Sequence, residues 1–287
     1  MFAGCRPRGL GISTATLALA CACLAKPLES SAAQFPLWEA GLGATVLRFS
    51  DYRGSDEFRS YLFPLPYFIY RGERIKVDRD SVRGQFFKTE RVELDVSING
   101  TVPLKSRDNA ARQGMPDLDA TLEIGPSLNT NLWHNDDRRI NLILKLPVRG
   151  VIATNFKHFD NVGWVSHPQI SWDVKNIDHT GWNVGMLIGP VFQSAGYNQH
   201  LYGVEPQFVT ATRPAYQSKA GYGGANIIGG ISKRFGRTWF AGFAKYDRLS
   251  GAAFENSPLV KKRNYATFGF AVTYIFTESK TLVESDD

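Results

Sequence analysis

The sequence predicts an all-β protein, a transmembrane antiparallel up-and-down β-barrel of about twelve strands with ten as the alternative count. Three observations predict it. Apolar residues recur at every second position in segment after segment, and a strand points successive side chains to opposite faces, so each segment has one greasy face and one polar or small one. The segments are as long as the ~9–11 residues a tilted spanning strand needs and longer than the ~5–6 usual in soluble sheets. Aromatic residues gather near segment ends, at Trp38, Tyr70, Trp133, Trp164, Tyr274 and Phe276, as the girdles of membrane barrels do.

The composition agrees. The chain has 287 residues, is 43% hydrophobic and 21% charged, and carries 27 glycines and 13% aromatics against three methionines. Its mean hydropathy of −0.22 is too polar for a helical membrane protein, and its apolar content is too high for disorder. Cys5, Cys21 and Cys23 all precede Leu24, so the body can hold neither a disulfide framework nor a cysteine nucleophile. Arg6 and Arg8 lead into an uncharged stretch, Gly9 to Ala25, and a polar segment ending Ser31-Ala32-Ala33. That is the three-part layout of a cleavable signal peptide over residues 1–33, which would take all three cysteines away. The expected organisation is signal peptide 1–33, barrel 34–276, and a short acidic tail 277–287 hanging free in the periplasm.

The first strands are expected at Leu37–Arg48, Tyr61–Arg71 and Arg74–Phe86. In Arg91–Asn99, Val92, Leu94, Val96 and Ile98 alternate with Arg91, Glu93, Asp95 and Ser97. Further strands follow at Leu118–Trp133, Ile140–Arg149, Val162–Lys175, Gly181–Gln193, Tyr222–Arg234, Arg237–Asp247 and Phe268–Phe276. A closed bacterial barrel has an even strand number, so a missing strand is expected in Tyr202–Thr210. Pro64, Pro66 and Pro147 lack a ladder donor and belong next to irregular pairing. A soluble sandwich fits the alternation too, but full charges on the polar faces suit a wet lumen better than a small dry core.

The same faces supply the candidate site residues. Asp78, Arg79, Asp80, Arg91, Glu93 and Asp95 are candidate lumen charges, serving ion-pair networks first and selectivity second. Lys261, Lys262 and Arg263 follow a loop and form a candidate contact for lipopolysaccharide phosphates. Phe276 is the candidate terminal aromatic for barrel assembly. No catalytic, cofactor or metal site is expected. The five histidines stand at no metal-ligand spacing, and neither Ser166-His167 nor Asp178-His179 can pair on a regular strand, where neighbours face opposite ways. Asp51, Asp56 and Glu57 lack the spacing of a calcium loop and read as a solvated loop with local ion pairs to Arg53 and Arg59. The excess of positive charge is small and spread out, which excludes nucleic acid as a partner.

Six stretches carry a further signal: DYRGSDEFRSYLFPLPYFIYRG from Asp51, DRDSVRG from Asp78, DNAARQGMPDLDATLEIGPSL from Asp108, GWNVG from Gly181, YGVEPQFVTATRPAY from Tyr202 and LSGAAFENSPLVKK from Leu249. In this order they resemble the MipA/OmpV family, the MltA-interacting outer-membrane proteins of Gram-negative bacteria. The resemblance implies a monomeric barrel without catalytic activity. It also implies a scaffold joining a lytic murein transglycosylase to a penicillin-binding protein, although other members resemble adhesins or porins. The alternative role is a channel for small polar solutes. The acidic tail beyond Phe276 departs from the usual ending at the terminal aromatic.

Overall fold

A computed structural model describes residues 34–72, 75–77, 82–84, 87–89 and 91–284; the expected signal peptide lies outside them. The strands are β1 (Gln34–Pro36), β2 (Trp38–Ser50), β3 (Phe58–Arg71), β4 (Ile75–Val77), β5 (Val82–Gly84), β6 (Phe87–Lys88), β7 (Val92–Thr101) and β8 (Ala120–His134). They continue as β9 (Ile140–Thr154), β10 (Phe159–Ser166), β11 (Gln169–Ile177), β12 (Trp182–Gln193), β13 (Gly221–Phe235), β14 (Thr238–Arg248), β15 (Asn264–Glu278) and β16 (Leu282–Glu284). One helix, α1, spans Ala195–Tyr202. No helix among the described residues is long and apolar enough to cross a membrane; strands make the crossing.

Apart from the β1–β16 pair, all strands join one antiparallel sheet. Its order is β5-β4-β3-β2-β15-β14-β13-β12, then β10 with β11, and β9-β8-β7-β6. The two ends of that path, β5 and β6, are consecutive in the chain, and β5 passes within 8 Å of β7, so the sheet closes on itself. β10 and β11 are halves of one wall strand, since β9 pairs with β10 through Val148–Thr154 and with β11 through Ile140–Lys145. With β10–β11 and β5–β6 each taken as one, about twelve strands form the wall.

The twelfth strand is not where the alternation placed it. Tyr202–Thr210 holds the end of α1 and a short 3-10 turn at Pro206–Phe208. The extra strand comes instead from Arg74–Phe86, read as one strand but folded as the hairpin β4–β5 with Val77 opposite Val82. The C-terminal stretch also differs from expectation: Leu282–Glu284 pairs with Gln34–Pro36.

Period two becomes burial by alternation. In β3, Leu62 is 71% and Phe68 52% exposed while Tyr67 and Ile69 are buried; in β15, Phe268, Phe270, Tyr274 and Phe276 are all more than half exposed. Large apolar side chains exposed on strand after strand would be an aggregation surface in water and are the normal outer face of a barrel in lipid. Pro147 stands opposite His167-Pro168, where the wall strand breaks between β10 and β11, so its missing donor falls at the irregular pairing proline requires.

The two ends of the barrel differ. One carries the termini and short turns, including the two-residue turn Gly236-Arg237, where Gly236 has φ 56°. The other carries the long connections 51–57, 102–119, 194–220 and 249–263. Short periplasmic turns and long outer loops are the usual arrangement, which orients the chain.

Candidate functional site: a capped barrel interior

The long connections pack together into a cap over the outer end. Its core joins Tyr52, Leu104, Leu118, Leu201, Tyr202, Val204, Leu249, Phe254 and Leu259 from the loops with Val151, Val165 and Val191 from the wall. Ser194 starts α1: its Oγ accepts from Tyr197 N at 3.3 Å and from Trp164 N at 3.0 Å, capping the helix and tying it to β10. Tyr202 is fully buried and stacked on Phe254 at 3.8 Å. Polar groups inside the cap are tied to backbone. Arg112 Nη1 donates to Leu201 O at 3.0 Å, Arg213 donates to the carbonyls of Ala111, Gln113 and Phe208, and Tyr52 OH donates to Leu259 O at 2.7 Å. Burial, partly opposed by the Tyr52 phenol, lowers the Arg112 pKa to about 10. Burial and the charge of Arg112 lower that of His200 on α1 below its ordinary 6.5, against the weaker pull of Asp119 and Asp160.

The cap is fastened to the wall at two places. Tyr197 OH donates to Glu123 Oε1 at 3.1 Å, Glu123 pairs with Arg149 at 3.0 Å, and Arg149 Nη1 donates to Ser97 Oγ at 3.0 Å. On the other side Arg53 pairs with Asp247 at 3.1 Å, Lys245 pairs with Asp247 at 3.0 Å, and Arg53 O accepts from Tyr202 OH at 2.9 Å. Burial opposes the charge on Arg53, but Tyr265 and Asp247 outweigh it and hold the guanidinium protonated beyond its ordinary range.

Below the cap the interior has two unlike walls. From β7 to β11 the inward positions are polar: Asn129 Nδ2 donates to Asp95 Oδ2 at 2.8 Å, Ser127 Oγ to Asn129 Oδ1 at 2.9 Å, and Ser171 Oγ to Asp173 Oδ2 at 2.8 Å. From β14 through β15 and β2 to β3 they are small, apolar and aromatic. Phe49 stacks on Tyr61 at 5.0 Å and Tyr61 on Phe63 at 5.5 Å, Tyr67 lies 6.3 Å from Trp239 across two strands, and Leu47 and Phe243 close over Gly269. At the turn end Glu39, with no exposed surface, takes Arg234 Nη1 at 2.8 Å and Tyr67 OH at 3.1 Å.

The sequence model of the MltA-interacting protein MipA matches residues 42–276. The chain belongs to the MipA family. Two curated relatives are similar along most of its length. Outer membrane protein Omp26La of Vibrio anguillarum is 27% identical over 77% of this chain and 80% of its own. Outer membrane protein OmpV of Vibrio cholerae serotype O1 is 27% identical over 73% and 76%. The CymD monoaromatic hydrocarbon channel overlaps 86% of this chain and 68% of its own at 12% identity with a TM-score of 0.27, too loose an overlap to inform fold or function. This family member is an outer-membrane protein.

Against that frame of strands and cap, the candidate residues scatter. Asp78, Arg79 and Asp80 lie outside the described residues. Arg91 is exposed just before β7, Glu93 is half-buried, and Asp95 is buried on the polar wall. Lys261, Lys262 and Arg263 are exposed at the outer end, the first two donating their amides to Gly54 O and Arg263 pairing with Glu255 at 2.9 Å. Phe276 is 56% exposed on the outer face near the turn end. Arg59 does pair with Asp51, at 2.8 Å, but Arg53 reaches across to β14 instead. Ser166 Oγ donates to Pro147 O, and the His167 ring faces Gln169. Asp178 and His179 are turn residues with positive φ rather than strand neighbours. Among the described residues no group of three or more His, Cys, Asp or Glu could hold a metal. The fastening pairs Glu123–Arg149 and Arg53–Asp247 were missed. For Glu123, Arg149 and Asp247 the signal was charge at an inward position of a long alternating strand, the same signal that singled out Asp95; Arg53 lies in the connection 51–57.

Proposed function

We propose that this protein is a non-catalytic barrel that works by contact, holding a lytic murein transglycosylase, with a penicillin-binding protein, at the outer membrane. The observation that supports it best is the cap: a barrel whose outer end is filled by a packed apolar core is poorly suited to passive diffusion. The family description, an MltA-interacting protein, supports the choice of partner. Such a partner would meet the exposed charged turns of the inner end, at Asp136-Asp137-Arg138 and Asp178-His179. The exposed Lys261-Lys262-Arg263 run suits lipopolysaccharide phosphates at the opposite rim, and Phe276 suits the assembly signal. Cross-linking in native envelopes, followed by purification and mass spectrometry, tests the reading. Enrichment of a lytic transglycosylase is expected; its absence under conditions that retain other outer-membrane complexes contradicts it.

A second reading is favoured by the polar wall. Asn129 and Asp173, part-exposed beside the buried Asp95, Ser127 and Ser171, would line a path for small polar solutes, with the cap as its gate. A steady conductance of reproducible size from the purified protein would support it.

A further inference from the structure

The lipid face of the barrel carries charge where β2, β3 and β15 reach the outer end. Along β2, Leu42 and Val46 point outward at 58% and 50% exposure, and by the same alternation Arg48 points outward and is exposed. The register places it. Arg48 stands between Ser60 of β3 and Phe268 of β15, and two residues deeper Val46 stands between Leu62 and Phe270. Two residues nearer the rim, Phe58 faces Ser50. From the bilayer to the rim the strip is therefore apolar, then cationic, then aromatic.

Phe58 borders a second charge. The Arg48 guanidinium lies 5.9 Å from the centre of its ring, and Lys262 Nζ, from the connection 249–263, lies 5.2 Å from it. Both distances are within the ≈6 Å reach of a cation–π contact. At this end the carboxylates of Asp51 and Glu255 are held by Arg59 and Arg263, and among the described residues neither Arg48 nor Lys262 forms a salt bridge. A long basic side chain beside hydrocarbon reaches for the headgroup level. Two such charges at one ring repel each other unless an anion lies beside them.

The turn end of the barrel offers a contrast. There Lys233 of β13 stands opposite Trp182 on the lipid face and borders two rings, 5.1 Å from the centre of Trp182 and 4.7 Å from that of Phe235. One cation between two rings is an aromatic girdle with a snorkelling lysine, and it matches the single charge of a phosphodiester lipid. Two cations at one ring match a phosphate monoester, which carries about −1.5 to −2 near pH 7.

We propose that Arg48 and Lys262, beside Phe58, bind the phosphate monoester of lipid A, the glycolipid of the outer leaflet, with an acyl chain lying along Val46 and Phe270. The proposal rests on the rim reading of Lys261-Lys262-Arg263 and moves its centre: Lys262 stays, Arg263 is engaged by Glu255, and Arg48 joins from β2. It does not depend on the contact role. The test uses the full-length protein folded in detergent micelles and titrated with bisphosphorylated lipid A or with phosphatidylglycerol, read by native mass spectrometry. Arg48→Gln and Lys262→Gln each weaken lipid A binding about tenfold, the loss of one charge-assisted contact. Phe58→Leu weakens it severalfold, Arg48→Lys keeps most of it, and Lys233→Gln leaves it unchanged. Lys261→Gln with Arg263→Gln also leaves it unchanged. Phosphatidylglycerol binds the intact protein more weakly and loses nothing further in Arg48→Gln. Heat-dependent gel mobility identifies the folded variants. Unchanged lipid A binding in both Arg48→Gln and Lys262→Gln overturns the site. An equal loss in Lys261→Gln with Arg263→Gln means a diffuse basic rim, which overturns the site and leaves the rim reading standing; no lipid A binding by the intact protein overturns both. Phosphatidylglycerol bound as tightly, with the same dependence on Arg48, overturns the choice of a monoester.

Discussion

From β7 to β11 the barrel interior is lined by groups that bind one another, whereas from β14 to β3, between the Lys245–Asp247 pair at the outer end and the Glu39 cluster at the turn end, it is lined by rings and small residues. Asp95, Ser127, Arg149 and Ser171 are nearly inaccessible because each is drawn into a hydrogen bond or ion pair with a neighbour. Phe49, Tyr61 and Phe63 stack on one another and stay part-exposed. The polar wall is therefore a structural brace, and the apolar wall is the accessible one. A buried charge must be paired to be tolerated, so a lumen charge in a closed barrel reads first as a strut.

The comparison can be broken in order of expected effect. Truncating the residue on which the cap is centred, Tyr202→Ala, removes the Phe254 stack and the bond to Arg53. By analogy with buried aromatic truncations it costs about 3–5 kcal/mol, read as a lower urea midpoint and protease access to 194–220. On the polar wall, Arg149→Met leaves the Glu123 carboxylate buried without its cation and costs about 3 kcal/mol. Adding Glu123→Gln should return most of that, and failure of the double variant to recover would deny the brace. On the apolar wall, Gly269→Ala would place a methyl 2.2 Å from the Phe243 ring and 2.6 Å from Leu47. Rings free to swing keep the cost near the low end of the ~1–3 kcal/mol for overpacking; a larger loss would mean that this wall is as tightly packed as the other.

The smallest effect is on pH. His200 has its pKa lowered in the folded cap, first by burial and then by Arg112, with Asp119 and Asp160 opposing. A base whose folded pKa is depressed contributes stability that is full above its unfolded value, here 6.5, and is lost as pH falls through the folded one. Hydrogen exchange in α1 should therefore quicken, relative to a peptide reference, between about pH 7.5 and 5.5, and should not do so in His200→Gln.

The barrel was legible because lipid imposes period two on every spanning segment, and β2, β7, β8, β9 and β12 through β15 follow the alternation closely. Two kinds of information escaped it. The Arg74–Phe86 stretch has enough β-formers to look like one strand, and the polar run Asp78-Arg79-Asp80-Ser81 between Val77 and Val82 reads as lumen charge rather than as the break between two strands. The cap escaped because its core has no period: Tyr52, Tyr202, Phe254 and Leu259 sit in loops and meet through long-range contacts. Yet four of the stretches that carried the family resemblance, from Asp51, Asp108, Tyr202 and Leu249, contribute to this cap. The resemblance read the packing of the loops before their structure was visible. Asp95 stands out in the sequence because it alternates; the pairing of Arg53 with Asp247 does not, because the two lie far apart along the chain.

Conductance across a planar bilayer tests the closed interior most directly. The intact protein should insert without opening a steady pore, and the Tyr202→Ala variant should open one intermittently. A stable conductance of reproducible size from the intact protein would contradict the account.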